Sequence, residues 1–319
     1  MAYELIITHD NIMYEPAVVD DVQWETERKG VQGKLVFKVI KDEVLQFTEG
    51  DPVRFKVDGA NVFFGFIFKR SRDKDGIITV TAYDQLRYLK NKDTYTYSNK
   101  TASDVVRMIA EDFNLQCGTL DDTAYKIESR VEDNQTLFDI IQNALDLTLT
   151  NKKELYVLYD DFGKITLKNL KNMKLNILID ESTGENFDYL TSIDGETYNK
   201  IKLVREDKDS GKRQIYIAQD SSNMNQWGVL QYFETIDEKV NGKAKADALL
   251  SLYNQKTRNL SIKGAFGDVR VRGGSLVAVS LALDDITVNS FLLVEKVSHT
   301  FRESEHFMDL TLRGGAFIA

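Results

Sequence analysis

Apolar and polar residues alternate in two stretches of this chain, one near its start and one at its end, in the same order of segments. Near the start, GDPVRFKV precedes the aromatic-rich VFFGFIFKR, the charged turn SRDKDG and the alternating IITVTAY. At the end, GGSLVAVSL precedes FLLVEKVSH, the turn TFRESEH and FMDLTLRG. The apolar positions correspond in pairs: Val53 with Val277, Phe55 with Val279, Val57 with Leu281, Ile78 with Met308, Val80 with Leu310 and Ala82 with Leu312. Because period-two alternation is typical of half-buried strands, the pattern predicts one β-module present twice.

Residues 1–93 are predicted to be mostly β. The segment VQWETERKGVQGKLVFKVI has the pattern of a hairpin with its turn near Gly30. Leu35, Phe37 and Val39 alternate along its second strand and are expected to face one way. Together with the first copy of the repeat, five or six short antiparallel strands predict a small barrel or sandwich, which we assign as a first tube-type β-barrel.

Residues 94–180 change to a periodicity typical of helices. TASDVVRMIAEDFNL predicts a helix capped by Thr101, with Asp104 three residues later, and TLFDIIQNALDL predicts a second helix capped by Asn134 or Thr136. The apolar positions in phase on these helices are Val105, Met108, Ile109 and Phe113, then Leu137, Ile140, Ile141 and Leu145. KELYVLYDDFGKITLKNL predicts a hairpin that closes a compact α+β domain.

A further hairpin is predicted after an acidic, linker-like stretch. NKIKLVRE and RQIYIAQD flank the turn DKDSG, and the alternation places Ile201 and Leu203 opposite Ile215 and Ile217. The position of this hairpin resembles that of the first hairpin in the first module. It is therefore expected to belong to the second module.

The second module is predicted to be split by an insertion. After WGVLQYFETIDEKV, the segment GKAKADALLSLYNQKT predicts a helix whose apolar side carries Ala246, Leu249, Leu250 and Tyr253. We assign residues 185–223 and 265–319 to a second tube-type β-barrel, and residues 224–264 to a helical insertion. The predicted fold class is thus α+β and mainly β, with two related small β-barrels and an α+β domain between them.

Length and composition fit several separate cores. The 319 residues are too many for one small barrel and agree with roughly two to four domains. The apolar content of 42% is sufficient for such cores, and only 2 Pro and 1 Cys leave no Pro-rich linker and no disulfide framework. MAYELIITHDN lacks a basic segment followed by an apolar one, so we expect neither a secretion signal nor insertion into a membrane.

The net charge of −9, with a pI near 5.1, argues against a dedicated or sequence-specific nucleic-acid binder. Such a protein needs a basic stripe that neutralises phosphates and releases counterions. An acidic surface of this size is otherwise expected to keep the chain soluble.

Histidine and cysteine do not form a recognisable catalytic or metal-binding pattern. His299 and His306 bracket a turn with Glu303 and Glu305, which makes a metal site conceivable, but no HExxH, HxH or cysteine partner accompanies them, so we expect a solvated hairpin tip. Cys117 is expected to be structural because nothing near it indicates an activated thiolate. His9 lies far from both in sequence.

Other candidate sites have ordinary structural explanations. The turns DKDG and DKDSG lack the ligand spacing and the distal glutamate of a calcium loop. The carboxylate pairs Asp160–Asp161, on a β-turn, and Glu111–Asp112, on the polar side of a helix, are expected to be solvated surface. Trp24 and Trp227 could bind sugars, but in β-segments they are expected to be core or interface residues. We therefore predict no catalytic, cofactor-binding or metal-binding residue, and no cofactor.

The order and lengths of the segments resemble one known family. VQWETERKGVQGKLVFKV, the block from Gly50 to Tyr83, TASDVVRMIAEDFNL with NQTLFDIIQNAL, and NKIKLVREDKDSGKRQ with WGVLQYFETID together resemble the baseplate hub proteins of contractile phage tails. The resemblance is to the hub family of PBSX-type phage-like elements and of related tailocins of Gram-positive bacteria, and it covers nearly the whole chain. It rests on order and length, since none of these segments is a catalytic signature.

The resemblance implies a non-enzymatic homotrimer whose two barrels per subunit alternate around a pseudo-six-fold ring. Its implied partners are the central spike, the tail tube or tube-initiator protein and the baseplate wedge proteins. Its implied location is the baseplate of a virion or tail-like particle, after assembly in the host cytoplasm. Some relatives carry a fused peptidoglycan-degrading domain, and the end of this chain at FIA shortly after the last strand puts lysis in doubt here.

Two other functions stay open from the sequence. A tail-associated peptidoglycan hydrolase would need a catalytic acidic residue, and a glycan- or receptor-binding tail protein would depend on exposed aromatic residues such as Trp227. The internal repeat favours the hub, because glycan binding does not require near-six-fold geometry.

Overall fold

The computed structural model describes residues 1–206, 213–236, 240–283 and 286–314. The chain forms two compact units. The first unit comprises Met1–Phe187 and Ser261–Leu312, and the second comprises Asp188–Leu260 together with Arg313 and Gly314. None of the helices in the described ranges is long and apolar enough to span a membrane.

Seven strands form the first module. They are β1 (Tyr3–His9), β2 (Ile12–Tyr14), β3 (Val18–Glu27), β4 (Lys34–Ile40), β5 (Pro52–Val57), β6 (Ala60–Arg72) and β7 (Ile77–Tyr83). They lie in the order β3-β4-β7-β6-β5-β1-β2, and all neighbours are antiparallel. Leu35, Phe37 and Val39 of β4 are fully buried, which confirms the predicted core face.

An α+β segment follows, with its own apolar core. It contains a 3₁₀ helix (Gln85–Lys90), β8 (Lys92–Lys100), α1 (Ala102–Asp112), β9 (Cys117–Leu120), β10 (Ile127–Thr136), α2 (Leu137–Lys152), β11 (Tyr156–Asp160), β12 (Ile165–Asn169) and a 3₁₀ helix (Leu170–Met173). Strand β10 pairs with β8, and the predicted hairpin is the antiparallel pair β11–β12, which β9 extends on its other edge.

The predicted helix starts are confirmed. The Thr101 side chain accepts a hydrogen bond from the backbone N–H of Asp104, and the Asp104 carboxylate accepts one from the N–H of Thr101, which together make a capping box. Thr136 caps α2, whereas Asn134, the alternative cap, lies within β10. Of the eight apolar positions predicted on the two helices, six are buried, and Met108 and Phe113 pack partly buried against the same core.

In its described ranges, the rest of the chain alternates strands with two short helices. It contains β13 (Lys174–Asp180), β14 (Asn186–Ser192), β15 (Lys200–Glu206), β16 (Arg213–Gln219), α3 (Ser221–Trp227), β17 (Gln231–Thr235), α4 (Gly242–Tyr253), β18 (Thr257–Phe266), β19 (Leu276–Leu283), β20 (Ile286–Arg302) and β21 (Glu305–Gly314). The boundary between the two units falls inside β14 and β18.

The strand order of the first module returns in the second. Strands β14-β18-β21-β20-β19-β13 follow one another as β3-β4-β7-β6-β5-β1 do, so each strand has a counterpart at the same position. One orientation differs, because β13 is parallel to β19 whereas β1 is antiparallel to β5. The twelve apolar residues that the repeat pairs are all buried, none more than 5% exposed.

The two modules also share a detail of their backbones. The Gly50 N–H donates to the carbonyl of Ile67 at 2.8 Å, and the Gly274 N–H donates to the carbonyl of Val294 at 2.8 Å. Both glycines have a positive φ, 94° and 95°, which side chains rarely adopt. The glycine therefore marks the same turn into the meander β5-β6-β7 and into the meander β19-β20-β21.

The second unit has a three-stranded sheet, β16-β15-β17, covered on one face by α4. The predicted hairpin β15–β16 is present, but the predicted facing of its apolar residues is wrong. Ile201 pairs with Ala218 and Leu203 with Tyr216, while Ile215 and Ile217 lie on the opposite face and are more than half exposed. The cause is that β16 carries apolar residues on both faces, so alternation alone did not decide which face packs.

The prediction of a mainly β chain of α+β class is confirmed. In the part of the chain that the structure describes, the sheets are open and none closes on itself. The four-domain division stays a prediction. Between β14 and β18, where the first module has the short turn after β3, lie residues 193–256 with β15, β16, α3, β17 and α4.

Candidate functional site

The two C-terminal histidines lie together, but the prediction of a solvated hairpin tip is wrong for His299. This residue is fully buried, its Nε2 lies 2.9 Å from the carbonyl oxygen of Val271, and its Nδ1 lies 2.9 Å from Nε2 of His306. Because a carbonyl can only accept, Nε2 of His299 carries the proton and, in the neutral ring, Nδ1 accepts the N–H of His306.

Burial, and second the neighbouring His306, lower the pKa of His299 to about 3, and burial lowers the pKa of His306 to about 4. The His299 ring also stacks on Trp24 with a centroid distance of 4.8 Å. The neutral His299 ring therefore packs on its cross-strand neighbour in β3, and His306 links β21 to His299. Among the described residues, no cluster of three or more His, Cys, Asp or Glu side chains is placed to hold a metal ion.

The other single residues considered from the sequence lie apart from this pair and have local roles. Cys117 is half-buried in β9, and burial raises the pKa of its thiol, which disfavours the thiolate. Nδ1 of His9 lies 2.8 Å from the Asp51 carboxylate. Asp112 accepts a hydrogen bond from the Tyr95 hydroxyl at 2.8 Å, and Glu111 beside it is exposed.

The turns and tryptophans also have structural surroundings. In the DKDG turn, the Asp73 carboxylate accepts the backbone N–H groups of Asp75 and Ile77, which is ordinary turn chemistry. The DKDSG turn lies outside the described residues. Trp24 is buried in the core, as predicted for a core residue of a β-segment, whereas the prediction of a β-segment is wrong for Trp227, which is half-buried at the end of α3.

A polar cluster surrounds Arg272, which the sequence did not single out. Its Nη1 donates to the backbone carbonyl of Asp160 at 2.9 Å, and its guanidinium lies over the rings of Tyr159, at 4.5 Å, and Trp24, at 5.8 Å. Asp84 completes the cluster by accepting the backbone N–H groups of Gly33 and Leu86. The cluster therefore joins the first module, the α+β segment and the second module.

Two carboxyl groups in this cluster, those of Asp84 and Asp160, are largely removed from solvent, so the prediction of solvated surface is wrong for Asp160. Burial raises the pKa of Asp84 well above its ordinary value, and the charge of Asp160 raises it further. Burial likewise raises the pKa of Asp160 to about 6, partly opposed by the hydrogen bond from Gly163 and by Arg272. Shifted pairs of this kind occur in active sites and also in structural networks.

The volume of the cavity at this cluster distinguishes an active site from a structural network. The cavity lined by Trp24, Asp84, Tyr159, Asp160 and Arg272 has a volume of about 20 Å³. A water molecule needs roughly 10–15 Å³ of such space, so the cavity has room for a water and not for an organic substrate. The geometry indicates a joint between three parts of the chain.

The two modules bind each other through strands β3 and β20. Residues 22–27 of β3 pair antiparallel with residues 296–301 of β20. Acidic side chains on the β3 side meet basic ones on the β20 side in the following ion pairs: Lys296 with Glu25 at 3.2 Å and with Glu27 at 3.0 Å, and Arg302 with Asp21 at 2.7 Å. In a reversed pair, Arg28 binds Glu295 at 2.7 Å. The contact therefore combines a continuous sheet with complementary charge.

Sequence reasoning missed this contact, although a signal for it exists. The β3 segment VVDDVQWETE carries four carboxylates, and the second half of β20 carries the basic residues Lys296 and Arg302. Opposite charges on two strands favour their pairing. The repeat shows which strands correspond but not which strands of different modules become neighbours.

Comparison with known proteins identifies the family of this chain and solved structures with a similar fold. A family model described as YQBQ-like matches residues 22–313. The chain is similar to the phage-like element PBSX protein XkdQ of Bacillus subtilis (strain 168), with 31% identity over 319 residues that cover 96% of this chain and 95% of the relative.

Two solved structures extend the likeness at low sequence identity, where it shows the fold alone. The 43 kDa tail protein of prophage MuSo2 from Shewanella oneidensis has a TM-score of 0.72 at 11% identity, covering 99% of this chain and 100% of that one. The E. coli c3393 protein, described as a type VI secretion component structurally similar to T4 tail proteins gp27 and gp5, has a TM-score of 0.60 at 10% identity, covering 99% and 78%.

Proposed function

The chain belongs to the YQBQ-like family and is a phage tail and baseplate-like protein, and from this we propose that it is the baseplate hub of a contractile phage tail or tail-like particle. In this role three copies form a ring that adapts the six-fold tail tube to the three-fold central spike. The function is structural, and the chain does not catalyse a reaction.

The duplicated module is the observation that carries the proposal. Two modules with the same strand order, the same buried apolar positions and the same glycine turn give one subunit two similar surfaces. Three identical subunits then present six similar surfaces to a tube and three identical ones to a spike. A ring without internal duplication cannot match both symmetries with equivalent contacts.

The internal contact between the modules supports the same role. The pair β3–β20 holds the modules edge to edge through a sheet and several ion pairs. An arrangement of this kind suits a ring element that has to keep its two modules in fixed register. The small volume of the cavity at Arg272 fits a structural joint better than a binding pocket.

The partners that follow from this role are a second and third copy of the chain, the central spike, the tail tube or its initiator, and the wedge proteins of the baseplate. The location that follows is the baseplate of the particle, after assembly in the bacterial cytoplasm. Solved structures similar to this chain include a complex with a VgrG protein at a TM-score of 0.52, which agrees with a spike as a partner.

The copy number in isolated particles tests the proposal. Quantitative mass spectrometry of purified tails is expected to give three copies of this chain per particle, against a multiple of six for the tube protein. Antibody labelling in electron microscopy is expected at the spike end of the tube. Six copies, or label along the whole tube, would contradict the hub.

A zymogram distinguishes the hub from a tail-associated hydrolase. Purified chain is expected to leave peptidoglycan intact under conditions in which an active cell-wall hydrolase clears it. Clearing that disappears when one acidic residue is replaced would overturn the structural role.

A further inference from the structure

We infer that strand β14 of one copy of the chain pairs with the C-terminal half of β6 in a second copy, and that three such contacts close a ring of six modules. The inference rests on the proposed trimer and adds the surface through which the copies bind each other. It starts from the contact that joins the two modules within one chain.

The counterpart of β20 in the first module is β6, and no strand among the described residues pairs with the corresponding edge of β6. Along one edge, β20 pairs with β19 up to Leu293 and then with β3 from Lys296 onward. Along the same edge, β6 pairs with β5 up to Phe66. Beyond Ile67, residues 69–72 pair with β7 on the other edge, and no other described strand pairs with them.

The counterpart of β3 in the second module is β14, and it ends the sheet. Strand β3 lies between β4 and β20, whereas β14 pairs with β18 alone among the described strands. Asn186, Asp188, Leu190 and Thr191 of β14 are exposed, and Leu190 is 55% exposed. A sheet edge with unpaired backbone groups and an exposed leucine is a template for another strand.

Alternate residues in the second half of β20 are buried, whereas the corresponding residues of β6 are exposed, as expected if β6 binds another copy of the chain. Val297, His299 and Phe301 of β20 are fully buried in the contact between the modules. Arg70 and Arg72 of β6 follow Ile67 by three and five residues, as Val297 and His299 follow Val294, yet both arginines are exposed. A strand placed on β6 as β3 is placed on β20 would cover them.

Charge points to the same pair of strands and in the same direction. Lys69 follows Ile67 by two residues, as Lys296 follows Val294, and Lys296 binds two glutamates of β3. Arg72 adds a second basic group to β6, while Glu185 and Asp188 place carboxylates at β14. Within the described ranges, Lys69, Arg72, Glu185 and Asp188 form no ion pair with another residue. The two edges are complementary to each other and each would repel its own copy.

The contact is heterologous, because two different edges of the chain meet. A heterologous contact forms a closed ring if its rotation closes, and an open filament if it does not. Since each copy contributes two modules joined by β3–β20, three copies alternate three internal and three intermolecular contacts. The occupant of the β14 edge is thus a second copy of this chain.

Cysteine cross-linking of the full-length chain tests the contact. In a Cys117→Ala background, one residue of β6 is replaced (Lys69→Cys or Ser71→Cys) together with one of β14 (Asp188→Cys or Leu190→Cys); all four positions are exposed. At least one combination is expected to give covalent dimers and trimers on oxidation, ending at trimers. Each single variant is expected to give none, because like edges do not meet. A ladder that extends beyond trimers would overturn the closed ring.

Two further variants separate this surface from the trimer itself. The double variant Lys69→Glu, Arg72→Glu is expected to lower the trimer fraction in mass measurements at least tenfold, and adding Glu185→Lys and Asp188→Lys is expected to restore it. The pair Val131→Cys, Asp188→Cys is the control, since Val131 is an exposed residue of β10 outside both edges. Trimers that persist without cross-links would overturn this surface and leave the hub intact. A wild-type chain that never exceeds a monomer would overturn the proposed trimer as well.

Discussion

Arg28 and Glu295 bind each other across the contact between the two modules. Nε of Arg28 lies 2.7 Å from Oε2 of Glu295 and Nη2 lies 3.1 Å from Oε1, so the guanidinium holds both carboxylate oxygens. The Arg28 side chain is only 11% exposed, and its backbone N–H donates to the carbonyl of Glu295 at 2.9 Å. A paired, partly buried group of this kind fixes orientation as well as distance.

Arg28→Ala is expected to destabilise the chain by about 1–3 kcal/mol, because it leaves a partly desolvated carboxylate without its two hydrogen bonds. Lys296→Ala is the matched control. It removes an ion pair on the same strand contact, but the Lys296 side chain is 42% exposed, so the expected cost is under about 1 kcal/mol. Urea unfolding of both variants measures the difference; equal costs would contradict the role of the Arg28 pair.

The duplicated glycines give a comparison within one molecule. Gly50 and Gly274 have the same φ, so replacing either by alanine is expected to cost about 1–2 kcal/mol of conformational strain. A Cβ at Gly50 meets nothing within 4 Å, whereas a Cβ at Gly274 would clash with Cγ1 of Val157. Gly274→Ala is therefore expected to cost a further ~1–3 kcal/mol from overpacking.

Thermal unfolding of the two glycine variants checks this expectation. The double variant Gly274→Ala, Val157→Ala removes the clash and leaves the strain, although it adds the cost of a smaller core residue. It should recover part of the extra loss if the clash is its cause. Equal melting temperatures for Gly50→Ala and Gly274→Ala would contradict the expected clash at Gly274.

The faces of the strands could be predicted from the sequence, and the neighbours of the strands could not. Val53, Phe55 and their counterparts Val277 and Val279 are buried because a strand with one apolar face packs that face wherever it lies. The pairing of β20 with β3 joins residues about 270 positions apart, and alternation contains no information on it. Which strands become neighbours depends instead on complementary charge and on how the two modules pack together, and neither is visible in the alternation of one strand.

Among the polar side chains, only contacts between residues close in sequence could be predicted. Thr101 and Asp104 act within four residues, so the capping box follows from spacing. Arg272 acts on Tyr159 and Trp24, which are distant in sequence, and the charged residue itself looks like an ordinary surface arginine. His299 was misjudged for the same reason, because its burial depends on Trp24 and Val271 from other segments.

Arg272→Ala is expected to destabilise the chain by about 2–3 kcal/mol. The substitution removes the hydrogen bond to the Asp160 carbonyl and the contacts of the guanidinium with two aromatic rings. Arg270→Ala is the control, since Arg270 is 59% exposed and binds Asp268, and its expected cost is under about 1 kcal/mol. Urea unfolding at pH 7 separates the two. Similar losses of unfolding free energy for both variants would contradict the structural role of the Arg272 cluster.

Asp160→Asn is expected to stabilise the chain at pH 8 by about 1–3 kcal/mol, since about 1.4 kcal/mol corresponds to one pKa unit. The folded chain holds the Asp160 proton up to about pH 6, whereas the unfolded chain releases it near its ordinary pKa of about 4. Stability is therefore lost as pH rises from 4 through 6, and the amide, which cannot ionise, avoids that loss.

The advantage of Asp160→Asn is expected to vanish as pH falls towards 4, where both the carboxyl group and the amide are uncharged. The amide oxygen can still accept the N–H of Gly163. Asp161→Asn, at the exposed neighbouring position, is the matched control for replacing a carboxylate by an amide. Unfolding free energies at pH 4.5, 6 and 8 test this; a constant difference between Asp160→Asn and wild type would exclude titration as its cause.

His306→Gln is expected to flatten the acid side of the stability profile. The pKa of His306 is about 4 in the folded chain and near 6.5 in the unfolded chain, so the unfolded state binds a proton first as pH falls. Wild-type stability is therefore lost from about pH 6.5 downward, by about 1 kcal/mol between pH 7 and 5 after allowance for the partial exposure of the ring. Glutamine does not titrate, and its amide can still donate to Nδ1 of His299. Urea unfolding at pH 7, 6 and 5 gives the two slopes, and parallel slopes for variant and wild type would show that His306 does not contribute to acid sensitivity.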